Sequence, residues 1–252
     1  MSLQKILITG ASSGLGELLS KKLAGTANHL ILLGRDKGRL NNLRLELQDQ
    51  CGKINCFAVD FSHNSDLDTL FNSGALDNLS VVINSAADFG PTKNILETSE
   101  EEIKLAFQVN VLTPFALSKK VLPDMIRKRY GRIINIGSTG GLGGYSLRTP
   151  YCLSKSALIA FSKTLNSEIG AGEYGPGLDI KCFCVCPGPI KGERLDRQVR
   201  ARARYKNVPS HEMEKRFTSI SGRLLESVEV VDKIMELLRP HCREGGVVLF
   251  DK

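Results

Sequence analysis

A chain of 252 residues, 42% hydrophobic and 24% charged, has the composition of an ordinary soluble globular protein, enough for one α/β domain or at most two small ones. No run of about eighteen apolar residues is present, which excludes a membrane-spanning helix, and the chain leads directly into a polar-flanked strand instead of a signal peptide; the expected location is the cytoplasm, with no membrane partner. Only the net charge of +7 favours a nucleic-acid partner, and with no recognition motif or interleaved aromatics beside it none is expected.

The first apolar run, Ile6 to Thr9, is followed by Gly10, Gly14 and Gly16 and then by a helical stretch through Leu23, which reads as strand, glycine-rich turn, helix. Gly10 permits the tight turn, Gly14 lets a diphosphate approach the backbone, and Gly16 lets the helix pack on the strand. The helix N-terminus then offers an anion site. A second strand, Leu30 to Leu33, ends in Gly34, Arg35 and Asp36, about where an adenosine ribose is read. Arg35 suits a 2′-phosphate. Asp36 suits the cap of a helix over Lys37 to Gln48, with the ribose of NAD as its rival role.

A third strand, Ile54 to Val59, ends in Asp60, which either caps or accepts from an adenine amino group; a fourth, Val81 to Ile83, runs into Asn84-Ser85-Ala86-Ala87, small enough for a flat ring to lie on the backbone. A long helix is expected from about Ser99 to Ile126. Within it Pro114 has no N–H, so the Asn110 carbonyl loses its partner one turn on; Asn110 is either a satisfied core amide at a kink or the holder of a water.

After the strand Arg132 to Ile136 come Ser138, then Tyr151, then Lys155. If Tyr151 opens a helix, Lys155 lies one turn further on the same face, where its ammonium favours phenolate and makes the tyrosine a general acid near neutral pH. Ser138, at a strand end, can hold a substrate oxygen beside that phenol. An isolated tyrosine–lysine pair at this spacing is more often exposed helix decoration; the surrounding pieces decide the matter.

A sixth strand, Ile180 to Val185, carries Cys182, Cys184 and Cys186 on one face. Without a CxxC or a histidine pair nearby no metal site is expected, and the three read as reduced core residues. Pro187-Gly188-Pro189-Ile190 follows, then an insertion at about 189–226, a helix near Val228 to Leu238 and a last strand, Val247 to Phe250. In the insertion Leu195, Val199 and Ala203 recur every four residues between Arg194, Arg197, Arg200 and Arg204, an amphipathic helix that serves either as a lid whose arginines reach an anionic substrate or as a solvated surface.

Strands and helices alternate throughout, which predicts a single Rossmann-type domain over 1–252: one doubly wound parallel sheet of about seven strands with helices on both faces. Ligands on such sheets bind beyond the carboxyl ends of the strands, where Gly10 to Gly16, Arg35, Asp60, Asn84, Ser138 and Pro187 all fall.

With TGASSGLG, Asp60, NSAA, Asn110, Ser138, YCLSK and PGPI in this order, the chain resembles the classical short-chain dehydrogenase/reductase family over essentially its whole length. The resemblance implies Tyr151 as acid/base, Ser138 orienting the carbonyl, Lys155 binding the nicotinamide ribose and lowering the tyrosine pKa, and Asn110 anchoring a relay water. It implies cofactor contacts along the glycine turn at Gly10, Ser12, Ser13, Gly14, Leu15 and Gly16. Further contacts are implied at Arg35, Asp60, Phe61, Asn84 and Ala86, and again at Pro187, Gly188 and Ile190. Two positions depart from the pattern: Ala87 replaces the glycine of NNAG, and Gly192 replaces the threonine usual shortly after PG. The expected activity is NADP(H)-dependent transfer of hydride between nicotinamide and a ketone or secondary alcohol, with NAD the less favoured cofactor and a homotetramer or homodimer as the assembly. Epimerisation or dehydration on the same fold, or non-catalytic NADP binding, are the alternatives.

Overall fold

The computed structural model describes residues 4–221, 223–239, 242 and 245–250, with the backbone alone at 216 and 218–221. In chain order its elements are β1 (Gln4–Thr9), α1 (Gly14–Ala24), β2 (Ala27–Gly34), α2 (Lys37–Leu47), β3 (Lys53–Ala58), α3 (Asn64–Asn72) and β4 (Val81–Asn84). There follow α4 (Glu100–Phe107), a π-helical turn (Gln108–Leu112), α5 (Thr113–Lys128), β5 (Tyr130–Ile136), the single turn α6 (Gly140–Gly143), α7 (Thr149–Ala171) and β6 (Asp179–Cys186). The last elements are α8 (Glu193–Lys206), α9 (Ser210–Ser221), α10 (Ser227–Leu237) and β7 (Gly246–Leu249).

The seven strands pair in parallel in the order β3-β2-β1-β4-β5-β6-β7. The order reverses between β1 and β4, so the carboxyl ends of those strands open a crevice. Because successive side chains of a strand point to opposite faces, Ile6, Ile8, Leu30 and Leu32 join Leu19, Leu23, Leu40 and Ile234 on one side of the sheet. Leu7, Ile31, Leu33 and Val82 join Leu117, Val121, Met125 and Leu165 on the other. Both faces are covered, which is why the strands read as nearly unbroken apolar runs. Cys182, Cys184 and Cys186 are all buried, as their alternation predicts.

The helix expected from Ser99 to Ile126 is divided. It starts with a capping box in which the Ser99 hydroxyl accepts from the Glu102 amide and the Glu102 carboxylate from the Ser99 amide. It then widens over Gln108–Leu112, where the Thr113 amide reaches back to the Gln108 carbonyl and the Thr113 hydroxyl donates to the same oxygen at 3.0 Å. Pro114 sits second in α5 and offers no N–H to Asn110, and one turn of π-helix absorbs the mismatch.

The insertion holds two helices where the periodicity predicts one. Leu195, Val199 and Ala203 of α8 are buried, but against Met213 and Phe217 of α9, as a small cluster of their own. The insertion is tied back where Ile190 bridges Leu225: the Leu225 amide donates to the Pro189 carbonyl at 2.9 Å and the Lys191 amide to the Leu225 carbonyl at 3.0 Å.

Candidate active site

Helix α7 begins two residues before Tyr151, with Pro150 in its first turn, where the missing N–H costs nothing. Tyr151 and Lys155 are therefore one turn apart, and both are buried. Lys155 Nζ donates to the Ile136 carbonyl at the end of β5 at 2.7 Å and stands 5.9 Å from the Tyr151 ring centre. Ser138, two residues beyond β5, accepts the Gly140 amide at 3.1 Å and lies close enough to the Tyr151 phenol to favour its phenolate. The structure thus brings Ser138, Tyr151 and Lys155 together.

Burial alone raises the Tyr151 phenol, yet it lies below the ordinary tyrosine value, because Arg194, then Lys155, then Ser138 and Arg148 outweigh the burial. Lys155 lies below the ordinary lysine value: burial and Arg194 disfavour its charge, and Tyr151 opposes them.

Asn110 is fully buried, and its side chain is engaged throughout. The amide donates to the Asp88 carbonyl at 2.8 Å and to the Ser154 hydroxyl at 2.9 Å, and its oxygen accepts the Asp88 amide at 2.8 Å. Asn110 thereby fixes the segment after β4 to α7. Any further role belongs to its main-chain carbonyl.

Four residues at this site carry no signal in the Tyr151–Lys155 spacing. Phe89 packs against Tyr151 with ring centres 5.4 Å apart. The Arg148 guanidinium carbon lies 4.8 Å from the Tyr151 ring centre, and that of Arg194 lies 3.3 Å from the ring centre of Phe89. Asp88, half-buried, accepts the Gly90 amide at 3.0 Å; burial lifts its carboxyl above the usual range despite that amide and the nearby Arg35 and Arg148. Asp88 and Phe89 directly follow the small-residue run at the end of β4, and Arg148 precedes Tyr151 by three positions, so adjacency was the available clue. Arg194 was identifiable on the insertion as one of several arginines, without its partner.

The glycine turn has the form of a phosphate cradle. A Cβ on Gly10 would stand 2.9 Å from the Ala86 backbone, one on Gly16 would run into the Gly10 carbonyl, and Gly14 has φ +55 with nothing within 4 Å of its would-be Cβ. Ser13 caps α1 by position without a side-chain hydrogen bond, so its exposed hydroxyl faces an open turn. Ser12 borders Gly34, Leu15 is half-buried, and the Thr9 hydroxyl accepts the Ser85 and Ala86 amides at 3.0 and 2.9 Å. Asn84 is buried with its Nδ2 on Asn135 at 2.7 Å and its Oδ1 without a partner. Gly188 has nothing within 4 Å of a would-be Cβ, and the bridge to Leu225 leaves the amide and carbonyl of Ile190 itself uninvolved.

Other positions are more constrained. Asp36 caps α2, accepting the Arg39 amide at 2.9 Å. Arg35 is exposed beside it. Asp60 Oδ1 accepts both the amide and the hydroxyl of Ser62, at 3.0 and 2.7 Å, so one oxygen already serves the turn. The Phe61 side chain is in the core, and the Pro187 carbonyl accepts the Thr139 amide at 3.1 Å. Gly192 adopts φ +134 at the start of α8, a conformation threonine rarely takes, which accounts for glycine there. Among the described residues no group of three or more metal-ligating side chains is present, and no helix is long and apolar enough to cross a membrane.

The family model of the short chain dehydrogenases matches residues 4–203. The chain belongs to the short-chain dehydrogenase family. This short-chain dehydrogenase is 31% identical over 194 residues to the 17-beta-hydroxysteroid dehydrogenase 13 of Mus musculus, a stretch covering 73% of this chain and 60% of that relative's length. It is 31% identical over 198 residues to nodulation protein G of Rhizobium sp. (strain N33), covering 77% of this chain and 76% of the relative. Its fold is shared with an NAD+-bound xylitol dehydrogenase (TM-score 0.85, 21% identity, 98% of this chain and 96% of that one). It is shared too with an NADPH-bound actinorhodin polyketide ketoreductase (TM-score 0.84, 23% identity, 98% and 95%). The family match ends within α8, so most of the α8–α9 pair of this short-chain dehydrogenase lies at or beyond its limit.

Proposed function

We propose that the chain is an NADP(H)-dependent oxidoreductase acting on a ketone or secondary alcohol, with Tyr151 as general acid and base. The observation that carries this reading is the buried pair of Tyr151 and Lys155, one helical turn apart on α7, with Lys155 held at the end of β5 next to buried Ser138. The cradle over Gly14, the spare hydroxyl of Ser13 and the unpartnered Asn84 Oδ1 fit a nicotinamide dinucleotide along the carboxyl ends of β1, β4 and β6. When bound, that cofactor supplies or accepts the hydride.

In the reductive direction Tyr151 gives its proton to the carbonyl oxygen while Ser138 holds the same oxygen, and in the oxidative direction the Tyr151 phenolate takes the alcohol proton. Lys155 keeps the phenolate accessible by its charge and offers its remaining protons to the nicotinamide ribose. The Asn110 carbonyl, denied its α-helical partner by Pro114, holds a water that passes protons between Lys155 and solvent. Arg35 pairs with a ribose 2′-phosphate, because Asp36 is occupied as a cap and presents no free carboxylate to a 2′-hydroxyl. The exposed Leu112 and Phe115 leave an apolar surface that a second copy of the chain covers, in a homodimer or homotetramer.

Turnover of a panel of ketones and secondary alcohols with NADPH and NADP+, followed at the nicotinamide absorbance, tests the reading. Tyr151→Phe should lower turnover by about 100-fold or more with little change in cofactor affinity. Near-normal turnover in that variant would refute the assignment of Tyr151.

A further inference from the structure

We propose that the substrate carries an anionic group, a carboxylate or a phosphate, close to its reacting carbonyl, and that Arg148 and Arg194 hold it beside Tyr151. The inference rests on the reading of Tyr151 as the proton donor and adds the class of molecule that donor serves.

Arg148 is 3% exposed and Arg194 is an exposed residue, yet both guanidinium groups frame the same phenol, Arg148 directly and Arg194 through Phe89. One stands 4.8 Å from the Tyr151 ring centre, and the other covers Phe89, which itself packs on Tyr151. They come from separate elements, the start of α7 and the start of α8. Arg202, two turns along α8, adds a third cation: it donates to the Ser146 carbonyl at 2.9 Å, packs on Phe217, and is close enough to Arg148 for the two to repel. Arg148 also repels Arg194.

Three crowded guanidinium groups call for counter-charge, and the described residues provide little of it. Arg148 Nε and Arg202 Nε are buried without hydrogen-bond partners, and no ion pair to Arg148, Arg194 or Arg202 occurs among the described residues. The carboxylate that faces Arg148 is Asp88, which is engaged with the Gly90 amide and is itself disfavoured as an anion by burial. A buried guanidinium left this way is costly, and an anion arriving with the substrate removes the cost at the moment the site is used. The phosphates of the proposed cofactor do not serve here: they fall at Gly10 to Gly16 and Arg35, at the ends of β1 and β2, whereas Arg148 and Arg194 follow β5 and β6. The short span from Arg148 to the Tyr151 ring places the anionic group within a few bonds of the carbonyl, as in short oxo acids or phosphorylated ketones.

The test is calorimetric titration of malonate, and separately of inorganic phosphate, into the protein saturated with whichever nicotinamide cofactor it binds. Malonate has no carbonyl to reduce, so binding is read apart from turnover. At least one of the two should bind, and its dissociation constant should rise about tenfold or more in Arg194→Gln and in Arg148→Gln. It should not change in Arg197→Gln or Arg200→Gln, whose side chains lie on the exposed side of α8. Preference for malonate identifies a carboxylate substrate, and preference for phosphate a phosphorylated one. Absence of binding by both anions, or binding that the Arg148 and Arg194 variants leave unchanged, overturns the proposal. Thermal melting checks each variant, and if Arg148→Gln does not fold, the exposed Arg194 decides alone. The two readings fail separately: anion binding with undiminished turnover in Tyr151→Phe removes the proton-donor assignment only. Efficient turnover of uncharged ketones, with KM unaffected by Arg194→Gln, removes the anion clamp only.

Discussion

Lys155 Nζ donates to the main-chain carbonyl of Ile136 at 2.7 Å, which pins the buried face of α7 to the carboxyl end of β5. The bond holds the ammonium in place without neutralising it, so its charge remains available to the phenol one turn back. Replacing Lys155 by methionine keeps most of the volume and removes the charge. Alcohol oxidation at neutral pH, which needs the phenolate, should fall about tenfold for each pKa unit by which the phenol recovers. The cofactor dissociation constant should also rise, which equilibrium titration measures. A variant with unchanged cofactor affinity would show that Lys155 acts on Tyr151 alone.

The titration of Tyr151 fixes the sign of the pH dependence. Alcohol oxidation needs the phenolate, so its rate should rise with pH through the folded-state pKa of the phenol, which lies below the ordinary tyrosine value of 10.0. Carbonyl reduction needs the phenol and should fall along the same limb. Arg194 leads the influences that lower this pKa, so Arg194→Gln should shift both limbs toward higher pH, while Arg197→Gln should leave them in place. Rate profiles from about pH 6 to 10 decide it: limbs unmoved in Arg194→Gln would detach that arginine from the phenol.

Much of this site was legible because it depends on local spacing. The step from Tyr151 to Lys155 is one helical turn, and the strand–glycine–helix sequence from Ile6 to Leu23 declares itself by alternation followed by a turn only glycine permits. The parallel sheet followed from unbroken apolar runs separated by helical ones. Three features were not legible, each for a different reason. Pro114 reveals a lost hydrogen bond at Asn110, but whether a helix kinks or widens depends on what Thr113 finds to bond, here the Gln108 carbonyl. Helix α9 shows only two buried anchors among its described side chains, Met213 and Phe217, too few for a clear period. Arg148 has no periodic signature at all, because its burial is made by segments following β4, β5 and β6 that meet only in the folded chain.

Cofactor choice turns on the end of β2. Gly34 is packed against Ser12 and presents no acidic side chain at the usual ribose-reading position. Arg35 is next and exposed, and the Asp36 carboxylate is spent on the Arg39 amide and side chain. NADPH should therefore bind more tightly than NADH, and Arg35→Ala should remove most of the difference, by about tenfold or more for a lost charge-assisted pair. Fluorescence titration with both cofactors checks it. Equal affinity in the unaltered protein would return Asp36 to the ribose.

The α8–α9 pair has its own small core, separate from the two clusters that flank the sheet, and this independence makes its stability separable from that of the rest. Leu195 is 7% exposed in that core and adjoins Arg194. Truncation to alanine deletes buried methyl groups at a cost of about 2–5 kcal/mol where the surroundings cannot collapse, and most of that cost should fall on the local unfolding of α8 and not on the global transition. Leu195→Ala should thus leave the main melting temperature nearly unchanged while amide exchange in α8 accelerates. Because Arg194 loses its fixed position over Phe89, kcat/KM should drop and the alkaline limb of oxidation should move upward, in the same direction as in Arg194→Gln. A large fall in the main melting temperature would instead make α8 an integral part of the core, and unchanged kinetics with faster exchange would separate the α8–α9 pair from the chemistry at Tyr151.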